Sequence, residues 1–579
     1  TQMLSSPRNA TADLSWMPVY DDGTDSASGG LTGGPVGQLA GYDVRWTTSS
    51  VSAGNSMGTA ADFFGSASAQ DGITAWSMNP INKMLTLPPI NTYFIGVRAR
   101  DEVGNYSTFA APTGLANPWT TTTLTAPVAS TSFGSSVVSA PIVGNDTANE
   151  LIVAATGVAG GGAVYVYDSS ILGASQANCG TGCQTLTPST AVGTQFGHDL
   201  AVGNVGAVAA ETRADLLVSS LGNAAPVFGR AVLFFGTTAA TLSNTDAIEF
   251  RGLDTNNRIG TALVVGGAII PDITGDGRAE IVFAVPGQAT NRGRILIYRG
   301  RDRADWLTIR TATDTTVVPN VPYIPVSAAT ADYVIDGPSP AMIPTATNAF
   351  GQFRRGIVAV NDLDGDTFPD LAIPTSRSTI NRYRLFGSVA IKASSGAAPL
   401  DATTGYVLEL STAVGTDNNT TSGLGNTTLA NANFFGSSAS DLVSSYPGAA
   451  GGGQVLMWSA LASTPANPPV TTTLVGPLTF GSALAAGAID SDANQDLLTA
   501  TALSTGNNAF LVYQHSGTFE SGTLDGAPWF WVSRFNGQSI TGNINSRIGA
   551  STLLVNVAGG VEADVVLSDS VVGEVRIWR

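Results

Sequence analysis

A chain of 579 residues is too long for a single hydrophobic core, and a formal charge of −17 removes the basic face that nucleic acid or an anionic membrane surface would need. No uninterrupted apolar run reaches the roughly 18 residues of a membrane helix, so no span is expected. The 67 glycines, with many Ala, Thr, Ser and Val in short runs between turn signals, predict an all-β protein, and no long stretch carries helical periodicity. Lys83 and Lys392 are the only lysines, so almost all positive charge is Arg; this reads as a compositional bias rather than a site. The chain begins at Thr1 with neither an initiator Met nor a signal peptide, as expected of a processed product whose upstream segments are absent.

Residues 1–116 differ from the rest. Ala12-Asp13-Leu14-Ser15-Trp16 predicts a strand, and Gly41-Tyr42-Asp43-Val44-Arg45-Trp46 an alternating one. In the stretch Leu87 to Asp101, Tyr93, Ile95, Val97 and Ala99 share one strand face. Gly104-Asn105 then predicts a turn. These residues, from Trp16 through Ser107, resemble a fibronectin type III domain, an immunoglobulin-like β-sandwich. The resemblance implies that Tyr93 is the corner tyrosine bonded back to nearby backbone. The segment Ser49 to Trp76 is longer and richer in Gly and Ser than that family usually shows, and the first strand is barely represented before Pro7. Asn117 to Ala126 is a Pro-marked transition, either a linker or a strand of the following domain.

From residue 133 a unit recurs at irregular spacing, the signature of a propeller or solenoid. Each copy opens on an apolar residue followed by Gly: Phe133-Gly134, Phe196-Gly197, Ile259-Gly260, Phe350-Gly351, Leu424-Gly425, Phe480-Gly481 and Ile548-Gly549. A strand, an acid-ended loop, a second apolar strand and a third strand after a Gly turn follow in each.

Three of the loops concentrate acids. Asp362, Asp364, Asp366 and Asp370 recur at alternate positions around Gly365 and Pro369. Four bare carboxylates in so short a loop repel strongly, and a hard cation relieves that; Ca²⁺ accepts six to eight oxygens in a flexible shell, roughly the number such a loop supplies. Side-chain oxygens from these four and the Phe368 carbonyl form the predicted cage. Asp272, Thr274, Asp276 and Glu280, with the Arg278 carbonyl, repeat the register. Asp490, Asp492 and Asp496, with the Asn494 carbonyl, form a weaker third cage, because Ala488 holds its first ligand position. Four carboxylates rank the Asp362 loop as the tightest. The other reading of all three is a solvated acidic turn. Cys179 and Cys183 flank a Gly-rich loop and are expected to close as a disulfide suited to an oxidising compartment; free thiols or half a metal site are the alternatives.

The ordered combination of Phe-Gly, acidic cage and Gly-x-Val strand, most complete in the third and fourth copies, resembles the FG-GAP repeat of the integrin α-subunit β-propeller and of many bacterial surface proteins. The resemblance spans about residues 120–579. It implies a seven-bladed β-propeller over residues 117–579, interrupted by an insertion at about 301–349 that is expected to form ordered turns on a rim. Each fourth strand would lie before the next Phe-Gly. The last copy has no such segment, so Thr120 to Ala126 is the expected closing strand. The first, second, fifth and seventh copies keep only one or two acids and are expected to hold no ion.

Neither His198 nor His515 sits in a nucleophile motif, and no serine elbow, zinc-protease motif or phosphate loop occurs. The expectation is a non-enzymatic extracellular, cell-surface or periplasmic protein of recognition or adhesion, its propeller stabilised by calcium and its face or rim binding a protein or glycan. A structural subunit of a larger surface assembly, and the carbohydrate-binding part of a secreted polysaccharide-active enzyme, are the alternatives.

Overall fold

The chain divides into two compact units, Thr1–Thr121 with Trp578–Arg579, and Thr122–Ile577. The computed structural model describes six strands before residue 120. Beyond it, the described residues are 121–128, 132–173, 179–188, 195–206, 213–220, 229–252, 268–285, 292–314, 321–338, 357–375, 382–411, 428–432, 434, 441–446, 453–459, 461, 470, 472–475, 480–481, 483–488, 495–502, 508–513, 522–523, 530–533, 548–557, 563–570 and 573–578.

The first unit holds two three-stranded antiparallel sheets. Thr11–Trp16 lies between Gln2–Ser6 and Ile81–Thr86, and Leu39–Thr47 lies between Ser68–Ala75 and Phe94–Asp101. Gln2–Ser6 pairs along its whole length with Thr11–Trp16, so the first strand is fuller than its sequence suggests. Tyr42 and Val44 are buried on one face of their strand. On the other, Asp43 is fully buried against Arg45 at 3.1 Å and Arg98 at 2.7 Å, an ion pair that compensates an otherwise costly buried charge. Tyr93, the expected corner tyrosine, lies outside the described residues.

The second unit is a β-propeller arrangement. Six blades each take four antiparallel strands from one contiguous stretch. The first comprises Phe133–Ala140, Glu150–Ala155, Ala163–Tyr167 and Cys183–Leu186; the second Asp199–Gly203, Asp215–Ser220, Arg230–Phe234 and Ile248–Arg251. The third comprises Ala268–Ile270, Glu280–Val285, Arg294–Tyr298 and Tyr333–Asp336; the fourth Val358–Val360, Asp370–Thr375, Arg382–Phe386 and Leu408–Ser411. The fifth runs from Thr428–Ala432 to Thr472–Val475 and the sixth from Leu484–Gly487 to Phe530–Ser533. Six blades are found where seven were expected, but the expected closing strand, Thr120 to Ala126, does pair with the last copy. The strands of the last copy, Ile548–Val555, Asp564–Asp569 and Glu574–Trp578, form a composite sheet with Thr121–Thr125 from the other end of the chain. The expected boundary at 116/117 therefore falls a few residues before the first strand that this unit uses.

Second strands such as Glu150–Ala155 and Glu280–Val285 are buried at every position. They run as near-continuous apolar segments because both faces are covered by neighbouring sheets. The cores lie between sheets. Phe250 of the second blade meets Phe283 and Tyr298 of the third with ring centroids 5.2 and 5.6 Å apart.

The stretch 301–349 does more than make turns. Its helix Arg303–Thr308 drives Trp306, fully buried, to 5.6 Å from the Phe250 ring. Its strand Val321–Pro325 runs parallel to Ile248–Arg251 and covers the outer edge of the second blade. Tyr333–Asp336 is the fourth strand of the third blade itself. Leu400–Asp401 and Gly522–Thr523 cover the third and fifth blades in the same parallel manner. Covering an edge this way removes a template for unwanted pairing.

The Phe-Gly dipeptide is a joint between blades. Phe196 is buried and Gly197 has φ +88°, a conformation that an L side chain adopts with difficulty. A Cβ on Gly197 would stand 2.8 Å from Ala154 Cβ and 3.0 Å from Val164 Cγ2, both in the preceding blade. Gly134 at φ +85° faces Ser568 of the composite sheet in the same way. We expect Gly197→Ala to destabilise the second unit by roughly 2–4 kcal/mol, the sum of positive-φ strain and overpacking; a urea midpoint within error of the parent would refute the joint. Ile259-Gly260, Phe350-Gly351 and Leu424-Gly425 lie outside the described residues.

Cys179 and Cys183 are joined by a disulfide, their Cα atoms 5.1 Å apart, and it ties the outer strand of the first blade to the loop that leads into it.

Candidate metal centres

The acidic loop of each copy connects its first strand to its second. The closing acid is the first residue of that second strand: Glu150, Asp215, Glu280, Asp370, Asp441, Asp496 and Asp564. All of them are no more than 3% exposed. A carboxylate so buried needs hydrogen-bond donors, and the backbone of its own loop supplies them. Ile142 N donates to Glu150 at 2.6 Å, Val205 N to Asp215 at 2.8 Å, Ile273 N to Glu280 at 2.9 Å and Leu363 N to Asp370 at 2.8 Å. Phe434 N and Val557 N donate to Asp441 and Asp564, each at 2.9 Å. The clamp is the same in acid-poor and acid-rich loops, so the carboxylates of these six copies have a structural task whatever they do for a metal.

The loops are also stitched to one another. The residue before the closing acid donates its N–H to the loop of the preceding copy: Ala214 to Pro141 O at 2.9 Å, Ala279 to Asn204 O at 2.7 Å, Ala563 to Ala488 O at 2.8 Å. Neighbouring loops therefore lie side by side. A Cβ on Gly275 in the third loop would fall 2.5 Å from the Phe368 ring of the fourth.

In the third copy Asp272, Asp276 and Glu280 offer carboxylate oxygens within 4.8 Å of one another. Thr274 Oγ1 donates to Glu280 Oε1 at 2.9 Å, which puts its hydroxyl at the same cluster. Asp272 also accepts Gly275 N at 2.6 Å and Gly277 N at 2.7 Å, and both glycines have positive φ that lets the loop curl around it. Burial pushes Glu280 up to about 8 against the donors from Ile273 and Thr274, with Asp272 and Asp276 adding to the rise. Partial desolvation within the loop raises Asp276 as well, though the residue is exposed, and the Asp272 charge adds to the rise. Arg278 donates its N–H to Asp276 at 3.0 Å, while its guanidinium turns away to Asp302 at 2.6 Å.

In the fourth copy Asp362, Asp364 and Asp370 come within the same 4.8 Å. Asp362 accepts Gly365 N at 2.6 Å and Thr367 N at 2.7 Å; Asp370 accepts Ser388 N at 2.8 Å as well as Leu363 N. Burial pushes Asp370 up to about 6, the Asp364 and Asp362 charges adding to it. Asp366 is not brought in with the other three, contrary to the predicted four-carboxylate cage. Its Oδ2 takes the Lys392 ammonium at 2.8 Å and the Ser388 hydroxyl, both from the short helix Ser388–Lys392. Against a small burial effect these two donors hold Asp366 below the usual carboxylate range. Phe368 donates its N–H to Asp366 at 2.9 Å, and its ring lies 4.6 Å from Lys392 Nζ. The two loops thus offer equal numbers of clustered carboxylates, and the expected ranking of the Asp362 loop as tighter loses its basis.

Of the third predicted cage, Asp490, Asp492 and Asn494 lie outside the described residues; Asp496 is buried at the start of its strand. Lys392 and Ser388 are the partners that sequence reasoning missed. The signal was present in the scarcity of lysine, which had been read as bias.

Both clusters consist of oxygen donors alone, two of them on buried carboxylates whose charge is opposed by their neighbours. Such a set can hold a hard divalent cation, which would neutralise that charge; Mg²⁺, with its small octahedral shell and reluctance to shed water, suits it less well than Ca²⁺.

No protein-family model matches the chain, and no curated protein matches it. Among solved structures it is similar to BBS1N, crystallised in complex with ARL6DN and soaked with lead, at 12% identity, with 78% of this chain and 95% of that one covered and a TM-score of 0.38. It is similar to the exotype rhamnogalacturonan lyase YesX at 11% identity, with 100% and 88% covered and a TM-score of 0.36. The Dos1 propeller is matched at 12% identity, with 84% of each chain covered and a TM-score of 0.35. Likenesses this distant say nothing about ligand or activity.

Proposed function

We propose that this chain is a non-enzymatic recognition or adhesion protein of an extracellular, cell-surface or periplasmic setting, built on a calcium-stabilised propeller of FG-GAP repeats behind a fibronectin type III-like sandwich. The observation that carries the proposal is the pair of clusters, Asp272/Asp276/Glu280 and Asp362/Asp364/Asp370, at the same register of adjacent repeats. In this reading the composite sheet is a seventh blade that closes the ring. Its support is that Ile548–Val555 touches both Leu484–Gly487 and Phe133–Ala140, and that Val566, Val575 and Ile577 share a core with Phe133 and Leu151. A disulfide in a loop of five residues suits an oxidising compartment. The ions would pin neighbouring loops in place and leave the rest of that side rigid for a protein or glycan partner.

The test is to immobilise the calcium-loaded chain and probe it with panels of glycans and surface proteins, while the same glycans in solution are assayed for cleavage. Saturable binding without new chain ends is expected. Release of new reducing or unsaturated ends would overturn the non-enzymatic reading.

A further inference from the structure

The fourth-copy loop already carries a cation. Lys392 Nζ lies 2.8 Å from Asp366 Oδ2, with the lysine side chain 28% and the aspartate 15% exposed. The ammonium also lies over the Phe368 ring at 4.6 Å, where the ring's negative face favours it. The helix that delivers it is fixed to the same loop at two further points: Ser388 N donates to Asp370 Oδ1 at 2.8 Å and Val389 N to Asp364 Oδ2 at 3.1 Å. In the third-copy loop the counterpart is looser: Arg278 and Arg299 favour the charge on Asp276, but their guanidinium groups are paired with Asp302 and Asp332. The two loops of one register thus differ in how closely a side-chain cation is held. One has three clustered carboxylates and a lysine paired directly with a further acid of the loop; the other has three clustered carboxylates with arginines that are paired elsewhere.

We propose that Lys392 is a tethered counter-ion that regulates the fourth-copy site. It holds the Asp362–Asp370 loop in its folded form without metal, and a divalent ion gains Asp366 as a fourth carboxylate only by displacing the ammonium. This rests on the calcium reading of the loops. The order of affinity is then the reverse of the one that carboxylate counting gives: the third-copy site binds calcium more tightly, and the fourth fills at higher calcium, or when Lys392 is neutralised.

The experiment uses the full chain with the third-copy site disabled by Asp276→Asn, so that calcium titrated calorimetrically reports the fourth. In that background Lys392→Met is expected to tighten calcium binding about tenfold, since it removes both the competing charge and its repulsion of the ion. In EDTA the same variant is expected to melt below its parent, and saturating calcium to restore it. Lys392→Gln serves if the Met variant does not fold without metal, and Lys392→Arg, which keeps a charge, is expected to behave as the parent does. An affinity unchanged or weakened by Lys392→Met and by Lys392→Gln overturns the proposal while leaving the calcium reading intact. Flat isotherms in parent and variants alike, together with a flat isotherm for the wild type, overturn the calcium reading and this inference with it.

Discussion

Asp215→Ala is expected to cost the second unit roughly 3–5 kcal/mol, equally in EDTA and in calcium, because it leaves several buried backbone donors without their charged acceptor. Asp215 closes one of the acid-poor loops. Its carboxylate accepts Val205 N at 2.8 Å, Gly206 N at 2.6 Å and Gly236 N at 2.8 Å, and it is 3% exposed. Alanine cannot replace any of these bonds, and water has no ready path to a strand buried at every position. Asp441→Ala, which removes the acceptor of Phe434 N, is expected to lie in the same direction with a smaller loss. Urea midpoints with and without calcium check both. A loss that appeared only in calcium would mean that the closing acids act through a metal and not through their loops.

The second large effect concerns calcium itself. Ligand present at about 100 times its dissociation constant adds about 2.7 kcal/mol of stability for each site that only the folded state forms. Chelation of the wild type is therefore expected to lower the melting transition clearly. Asp276→Asn is the informative variant. Asp276 is exposed and accepts only the loop hydrogen bond from Arg278 N, so its loss costs little in EDTA but removes a charge from the third-copy cluster. Its calcium-induced rise in melting temperature should be less than half that of the wild type, since the tighter site is the one removed. Asp366→Ala is expected to retain a calcium response, since Asp366 is outside the cluster of three in its loop. If EDTA moved neither the wild type nor Asp276→Asn, the acidic loops would be solvated turns.

Much of the fold was legible because its signals are local. The second strands announce themselves as apolar runs, since a strand covered on both faces has no polar side to show. The Phe-Gly pairs mark the joints, since at Gly197 the backbone has positive φ and an added Cβ would stand 2.8 Å from Ala154 Cβ of the preceding blade. The two acid clusters were legible in part for the same reason: the first and last acids of each loop are brought together with one acid between them.

Local patterns set the class of fold, the register of the repeats and the loops where acids gather. Only the tertiary structure decided what each acid touches. Lys392 is 26 positions from Asp366 and reaches it because the third strand and a short helix fold back over the loop. No spacing rule anticipates that, and it removes one predicted ligand from the cluster. The closing acids in the acid-poor loops looked like remnants of lost cages; burial and backbone N–H groups from their own loops make them clamps. The last sheet lies between the two cases: Thr120 to Ala126 is legible as its closing strand, and packing fixes the pairing. Thr121–Thr125 pairs with strands more than 400 residues away, since an uncovered strand edge is stabilised by whatever backbone the closed arrangement brings beside it.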